Sequence, residues 1–477
     1  MRRALLSLVL VASASACDAN APEGPASADL VIANATIVDV ESGELIPGRT
    51  IFIDAGRIVA IVEASRAAAP DGAREVDATG HYVIPGLWDA HVHSAGGTGW
   101  HFPLLVAHGI TSVRNLHTTV DTALELTSAI GRRVAAGEQL GPRFLANGPI
   151  IDGHPASWPG ALAVRTAAEG RAAVDSLAAA GADFVKVYDN LLPEVYDAIV
   201  AAAAERGIPV DGHVPFLVTA EHAAASGQRT VEHLTGMNLA CSSRAAALRS
   251  EFEALLERLP SLFFPESAVA FFSLVREASD SRDPALCAPA VEAYAAAGVT
   301  VVPTLVIGAM DADRLVADSA RMRLLPVDMR GAWSGMAAGG PGPIDAVFAG
   351  SDWTAPDNAR LLHEAGVRIL AGTDIGNPFL IPGLSLHDEL GLLVGEAGLS
   401  ALDALRAATI NPARTFGLAD SLGTVAEGKL ADLVLLEANP LEDIGNAAAI
   451  DAVVLNGRYL DRGALDALMA EAAAARD

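Results

Sequence analysis

Two histidines stand two residues apart in the stretch Pro85-Gly86-Leu87-Trp88-Asp89-Ala90-His91-Val92-His93. On a strand, side chains two apart point the same way, so His91 and His93 reach one place. Two converging imidazoles suit a divalent metal ion; the alternative is a pair of satisfied pocket histidines. Residues of the same chemistry recur downstream. His213 follows Val-Asp-Gly, His233 follows Val-Glu, and Asp374 ends Leu-Ala-Gly-Thr-Asp. A lysine, Lys186, lies inside Gly-Ala-Asp-Phe-Val-Lys-Val-Tyr-Asp, residues 181–189, which reads as a short buried strand. Phe184, Lys186 and Tyr188 share one face of it, Val185 and Val187 the other. A buried ammonium has to be paired, neutralised or chemically altered. Pairing with Asp189 or Asp211 is the plain alternative to a chemical role.

These residues need elements that bring them together. The middle of the chain alternates strand and helix, with strand candidates ending at Val92, Asn115, Pro149, Asp189, Val214, Leu234, Ile307 and Thr373. Helical stretches fall between and after them, such as Leu192 to Glu205 and Ala401 to Thr409. Eight strands in alternation predict an α/β fold, a (β/α)8 TIM barrel over residues 85–416. In that fold the strand C-termini meet at one rim, where the four histidines and Asp374 would converge. A helical insertion, residues 237–297, follows the sixth strand, and Met310 to Trp353 reads as a second irregular segment. Both are lid candidates. Short strands occur at both chain ends: Asp29 to Ile32, Ala35 to Asp39, Thr50 to Asp54, Arg57 to Val62, Asp432 to Leu436 and Ala452 to Leu455. Residues 29–84 and 417–463 therefore both read as small β-structure flanking the barrel.

The chain has 477 residues and a formal net charge of −26. It offers no basic patch, which argues against nucleic acid and anionic membrane surfaces as partners. Arg2 and Arg3, an apolar run from Ala4 to Ala12 and small residues before Cys17 read as a signal peptide, residues 1–16. Ala14-Ser15-Ala16-Cys17 resembles a bacterial lipobox, with Cys17 as the lipidated residue and 17–28 as a polar tether; Ala-x-Ala cleavage is the competing reading. Either way the expected destination is outside the cytoplasm, in the periplasm or anchored to a bacterial membrane through lipid. The cysteines are Cys17, Cys241 and Cys287, with no C-x-x-C pair, which excludes a zinc finger. With Cys17 lipidated, Cys241 and Cys287 are expected to pair across the insertion; two separate buried thiols are the alternative.

The order HxH, lysine, histidine, histidine, aspartate resembles the amidohydrolase superfamily. The likeness is closest to its imidazolonepropionase/prolidase-like branch, with Xaa-Pro dipeptidases, carboxypeptidases and ochratoxin-hydrolysing amidases. The flanks fit as well: Val83-Ile84-Pro85-Gly86, Ala408-Thr409-Ile410-Asn411-Pro412-Ala413, Gly423-Thr424-Val425 and Lys429-Leu430-Ala431-Asp432. The resemblance implies that the end segments form a split β-sandwich. It implies two divalent metal ions, zinc above all. His91, His93 and Asp374 would hold one, and His213 and His233 the other. Lys186, converted to N6-carboxylysine, would bridge them together with a hydroxide. Asp374 would also move the proton to the leaving amine. The implied reaction is cleavage of an amide C–N bond in a small molecule, a dipeptide or an N-acyl amino acid. His117, His154, Tyr188 and Asn377 are expected near substrate, whereas His387 reads as structural. Two other functions stay open. One is a mononuclear imidazolonepropionase- or deaminase-like hydrolase with unmodified Lys186. The other is a non-catalytic metal- or ligand-binding lipoprotein. Homo-oligomerisation stays open too.

Overall fold

The computed structural model describes residues 23–93, 99–117, 124–259, 266–339 and 356–475. The signal peptide reading and Cys17 lie outside them. The N-terminal strands are β1 (Leu30–Val38), β2 (Leu45–Asp54), β3 (Arg57–Glu63), β4 (Arg74–Asp77) and β5 (Tyr82–Pro85). The two short strands expected at 29–39 are one, β1, whose register shifts on both sides of Ala35. Asn34, at φ 58°, supplies the local kink that looks like a strand break in sequence. Glu23, inside the stretch read as a tether, already hydrogen-bonds along the domain, from its amide to Arg66 O (2.8 Å).

The barrel strands follow: β6 (Leu87–Val92), β7 (Ile110–Asn115) and β8 (Arg143–Ala146), then the short pair β9 (Ile151–Asp152) and β10 (Leu162–Ala163) beside the wall. The wall continues with β11 (Val185–Val187), β12 (Val210–Gly212), β13 (Thr230–Glu232), β14 (Thr300–Val302) and β15 (Arg368–Ile369). Pairing is parallel within β6–β7–β8, β11–β12 and β13–β14–β15. Single backbone bonds close the gaps. Asp183 N donates to Ala146 O (2.9 Å), Arg229 N to Val210 O (2.7 Å), and Ala90 N to Ala371 O (2.9 Å). The eight strands thus form a closed ring without a free edge. The third strand stops at Ala146, short of Pro149, and the seventh at Val302, short of Ile307. Pro303 cannot donate to a ladder, and Thr304 takes a left-handed backbone (φ 52°) that starts the helix Leu305–Gly308.

After the barrel, the chain returns to the first domain as β16 (Leu433–Leu436), β17 (Ile450–Leu455) and β18 (Arg458–Leu460). Asn456 and Gly457, at φ 51° and 77°, make the tight turn between the last two. Strand β16 pairs antiparallel with β5, so both chain ends share one eight-stranded sheet, in the order β18-β17-β16-β5-β1-β2-β3 with β4 on β1. Ile32, Ile51, Val83, Leu433 and Val454 fill its common apolar core. Among the described residues no helix is long and apolar enough to cross a membrane.

The segment after β13 is helical as expected, with helices Met237–Ala240, Ala245–Arg258, Glu266–Asp280 and Ala288–Ala297. The last packs against helix Ala220–Ser226, in the outer layer of the barrel. Cys241 and Cys287 form the expected disulfide, with Cα atoms 4.4 Å apart and a separation of 46 residues. The neck of the insertion is further tied by Asp283 N donating to Cys241 O (2.8 Å) and by the Ser242–Ser281 hydroxyl pair (2.7 Å). Closing a loop of this length stabilises the fold by about 4 kcal/mol through the unfolded chain. The Cys241→Ser, Cys287→Ser double variant should therefore melt a few degrees below the parent. An unchanged Tm, with the parent bond confirmed by thiol titration, would show that the neck hydrogen bonds suffice.

Candidate metal centre

His91 and His93 sit at the C-terminal end of β6, and Asp374 in the turn just after β15. The backbone bond from Asp374 N to His91 O (2.8 Å) locks the two elements together. One ligand-capable atom from each of His91, His93 and Asp374 lies within 4.8 Å of the others. Asp374 Oδ1 is 3.1 Å from His91 Nε2 and 2.7 Å from His93 Nε2. It is also buried without a hydrogen-bond partner, as is His213 Nε2. Buried polar atoms left in this state are what a bound cation would satisfy. The protonation states agree. Burial drives His93 down to about 4, against the pull of Asp374, so its imidazole is neutral. Burial works against an ionised Asp374, but the facing His91 and His93 hold its carboxyl well below the usual range. Neutral imidazoles and a carboxylate are the forms that bind metal.

His213, after β12, and His233, after β13, complete the ring of donors. The His91 and His233 rings are 4.6 Å apart and those of His213 and His233 5.0 Å. Burial pushes both His213 and His233 well below their ordinary range. His233 and Asp374 both adopt left-handed backbone, at φ 54° and 62°. Such conformations in non-glycine residues concentrate where function demands a fixed direction. Asn377 is tied to one of them: its side-chain amide donates to the Asp374 carbonyl (3.0 Å).

Lys186 is 1% exposed in the middle of β11. Among the described residues its amine makes no hydrogen bond and no ion pair; it lies 5.4 Å from the centroid of the Tyr188 ring. The two carboxylates that could have paired with it are engaged elsewhere. Asp189 accepts from His213 Nδ1 (2.7 Å), and Asp211 accepts from Arg229 (2.6 Å) and Arg114 (3.0 Å). Burial lowers the Lys186 amine to about 8, against the pull of Asp374 and Glu232. A minor fraction of the amine, about a tenth, is therefore neutral at pH 7.

Behind these groups lies a support layer that motif reading missed. Glu232 accepts from His91 Nδ1 (2.9 Å), which fixes that ring and leaves Nε2 toward the centre. Arg114, fully buried, holds Glu232 through both carboxylate oxygens (2.7 and 2.8 Å) and reaches Thr230 (2.8 Å) and Ala90 O (2.8 Å). Burial alone would raise the Glu232 carboxyl; Arg114 holds it well below its ordinary value. Asp189 orients His213, Thr304 orients His233 (2.6 Å), and Asp89 accepts from the Thr373 hydroxyl (2.6 Å). Glu232 ends β13 and shares a strand face with Thr230, whose hydroxyl donates to it (2.6 Å). Replacing Arg114 by methionine would strand the buried Glu232 carboxylate. Urea unfolding of Arg114→Met should show a loss of about 3–5 kcal/mol; a loss under about 1 kcal/mol would show that Glu232 finds another partner.

The residues expected near substrate divide. His117 lies by the centre, its ring 6.1 Å from that of His93, and burial lowers it to about 4. Tyr188 stacks on His213 at 4.0 Å. His154 is exposed and joins none of these groups. Trp158, unnoticed in the sequence, donates to the Tyr188 hydroxyl (2.5 Å) and stacks over His93 at 6.5 Å while 43% exposed. His387, on helix Leu384–Gly395, donates from Nε2 to His108 O (3.0 Å), a structural contact as expected.

Known proteins place this geometry. The adenine deaminase of Mesorhizobium japonicum is 42% identical over 93 residues, 19% of this chain and 15% of that protein. The imidazolonepropionase of Thermoplasma acidophilum is 36% identical over 102 residues, 20% of this chain and 23% of that protein. The chain thus matches under a quarter of the length of these curated relatives. Solved structures match over nearly all of it. A bottromycin amidohydrolase superposes with a TM-score of 0.70 at 28% identity, over 93% of this chain and 90% of that one. A Xaa-Pro dipeptidase with bound methionine gives 0.64 at 22% identity, over 91% and 99%. The ochratoxinase of A. niger gives 0.57 at 18%, over 91% and 95%. The last two speak for the fold alone, a barrel with an added β-rich domain. The profile of the amidohydrolase family matches residues 82–460, and the chain belongs to that family.

Proposed function

We propose that the protein is a metal-dependent hydrolase of an amide C–N bond in a small molecule, a dipeptide or an N-acyl amino acid. The observation that supports it most is Lys186: a buried, unpaired amine facing His213, His233 and Asp374. Carbon dioxide is the co-reactant that would resolve it. The neutral amine bonds to its carbon and releases one proton, and the product is an anionic carbamate. His91, His93 and Asp374 would hold one divalent ion, zinc by donor type, and His213, His233 and carboxylated Lys186 a second. When bound, such ions supply hydroxide at neutral pH and polarise the amide carbonyl. The chain's own groups do the rest. Glu232, Asp189 and Thr304 keep the three imidazoles in one tautomer. Asp374, ionised and short of a partner on Oδ1, accepts the proton of the attacking water and delivers it to the leaving nitrogen.

The mononuclear reading is the alternative. Among the described residues, only His91, His93 and Asp374 gather as a cluster of three or more histidine, cysteine or acidic ligands. Metal content separates the two. The function itself is tested by screening metal-loaded protein against dipeptides and N-acyl amino acids. Hydrolysis abolished by a chelator and restored by zinc is expected. No turnover of any amide by fully loaded protein would remove the proposal. Export belongs to the same proposal, and the Cys241–Cys287 disulfide supports it, since such bonds persist in oxidising compartments.

A further inference from the structure

Helix Leu384–Gly395 turns Ser385, Leu386, Glu389, Leu390 and Leu393 inward. Apolar side chains belong on such a stripe, yet Glu389 occupies its middle and is fully buried. A carboxyl group placed there costs desolvation, so its contacts must return something. Glu389 Oε2 accepts from the Val306 amide (2.8 Å), and the Leu305 amide also donates to the carboxyl. Burial raises this carboxyl to about 8, against the pull of the two amides, so it is mostly a neutral acid at pH 7. Its Oε1 is buried and has no hydrogen-bond partner among the described residues.

The two amides belong to the turn that leaves β14. Thr304, just before them, is fully buried and holds its left-handed backbone at φ 52°. A β-branched residue keeps that conformation only where its surroundings enforce it. The Thr304 hydroxyl lies 2.7 Å from Pro303 O and 2.6 Å from His233 Nδ1. A hydroxyl has one proton to give. Given to Pro303 O, it leaves the oxygen to accept from His233 Nδ1–H. The His233 lone pair is then on Nε2, the nitrogen 3.9 Å from Asp374 Oδ2. We infer that Glu389 is a positioning residue: by holding the Leu305 and Val306 amides it fixes the Thr304 turn, and through the Thr304 hydroxyl it sets the tautomer and direction of His233. The inference rests on the metal-dependent reading above for its purpose, since a histidine offers a metal only the ring nitrogen that carries no proton.

The test reads the ring nitrogens of His233 by 15N NMR in metal-free protein, with the signal assigned from its loss in His233→Asn. The parent should show a single tautomer with the proton on Nδ1. Thr304→Val, which deletes the hydroxyl at nearly constant shape, should give a mixture of tautomers. Glu389→Met, which fills the space without an acceptor, should give the same mixture. Glu389→Gln keeps an oxygen for the two amides and should keep the parent signal, which a role in filling the core alone would not require. Zinc titration against a chromophoric chelator should follow the same division. The more weakly held ion should lose about tenfold or more in affinity in Glu389→Met and stay within about twofold in Glu389→Gln. A proton on Nε2 in the parent overturns the inference without any variant. A parent-like His233 in folded Glu389→Met overturns it as well. A tautomer mixture in Glu389→Met with zinc binding unchanged supports the positioning role and counts against a metal ion at His233 alone.

Discussion

Lys186→Ala should lower kcat/KM by at least about a hundredfold while leaving the barrel intact. The two effects separate because the amine contributes nothing visible to stability as an ammonium. It is buried, it has no ion-pair partner among the described residues, and Asp189 and Asp211 are already occupied by His213, Arg114 and Arg229. Removing an unpaired buried cation relieves desolvation and leaves a small cavity, so the net change in Tm should be small. What is lost is the anion that carboxylation would place among His213, His233 and Asp374. Zinc retention should fall with it. Glutamate at this position is too short to fill the same span, and arginine brings no anion. A short carboxylic acid such as propionate should restore part of the alanine variant's activity, whereas a short amine should not. Full activity in Lys186→Ala, or rescue by the amine, would assign the lysine a different role.

Asp374→Asn should also cost at least about a hundredfold in kcat, since proton transfer by a positioned group alone is worth that much. The substitution keeps the shape and the backbone that Asn377 and His91 hold. It removes the charge that faces His91 and His93 and the oxygen that could carry a proton. The effect should appear in kcat rather than KM, because the proton moves only as the C–N bond breaks. Near-normal turnover with the metal site fully loaded would show that another group moves the proton, and His117, beside His93, is the next in reach.

Much of this was legible in the sequence for a definite reason. His91, His93, His213, His233 and Asp374 each lie at or shortly after the C-terminal end of a strand, and strand C-termini share one rim, so spacing along the chain became proximity in space. Lys186 was legible because a charge in an apolar strand demands an account. Glu232 and Arg114 were harder: each follows a valine in a strand, and nothing local says that they meet. Their pairing joins β7 to β13, a contact between residues 118 apart in sequence. The hydrogen bond from Asn377 to the Asp374 carbonyl was not legible either, since it depends on the turn the two residues share. Trp158 was invisible because loop residues follow no period. Strand ends failed at Pro149, beyond Asn147 and Gly148, and at Ile307, where apolar residues continue past the last ladder bond into a helix.

The central claim is that Lys186 bears a carboxyl group between two metal ions. The most direct measurement is a high-resolution crystal structure of zinc-loaded protein grown with bicarbonate. Continuous density for a carboxyl on Lys186 Nζ, between one ion on His91, His93 and Asp374 and another on His213 and His233, is the expected result. A bare ammonium at Lys186 with both ions in place, or a single ion on the first three residues, would contradict it.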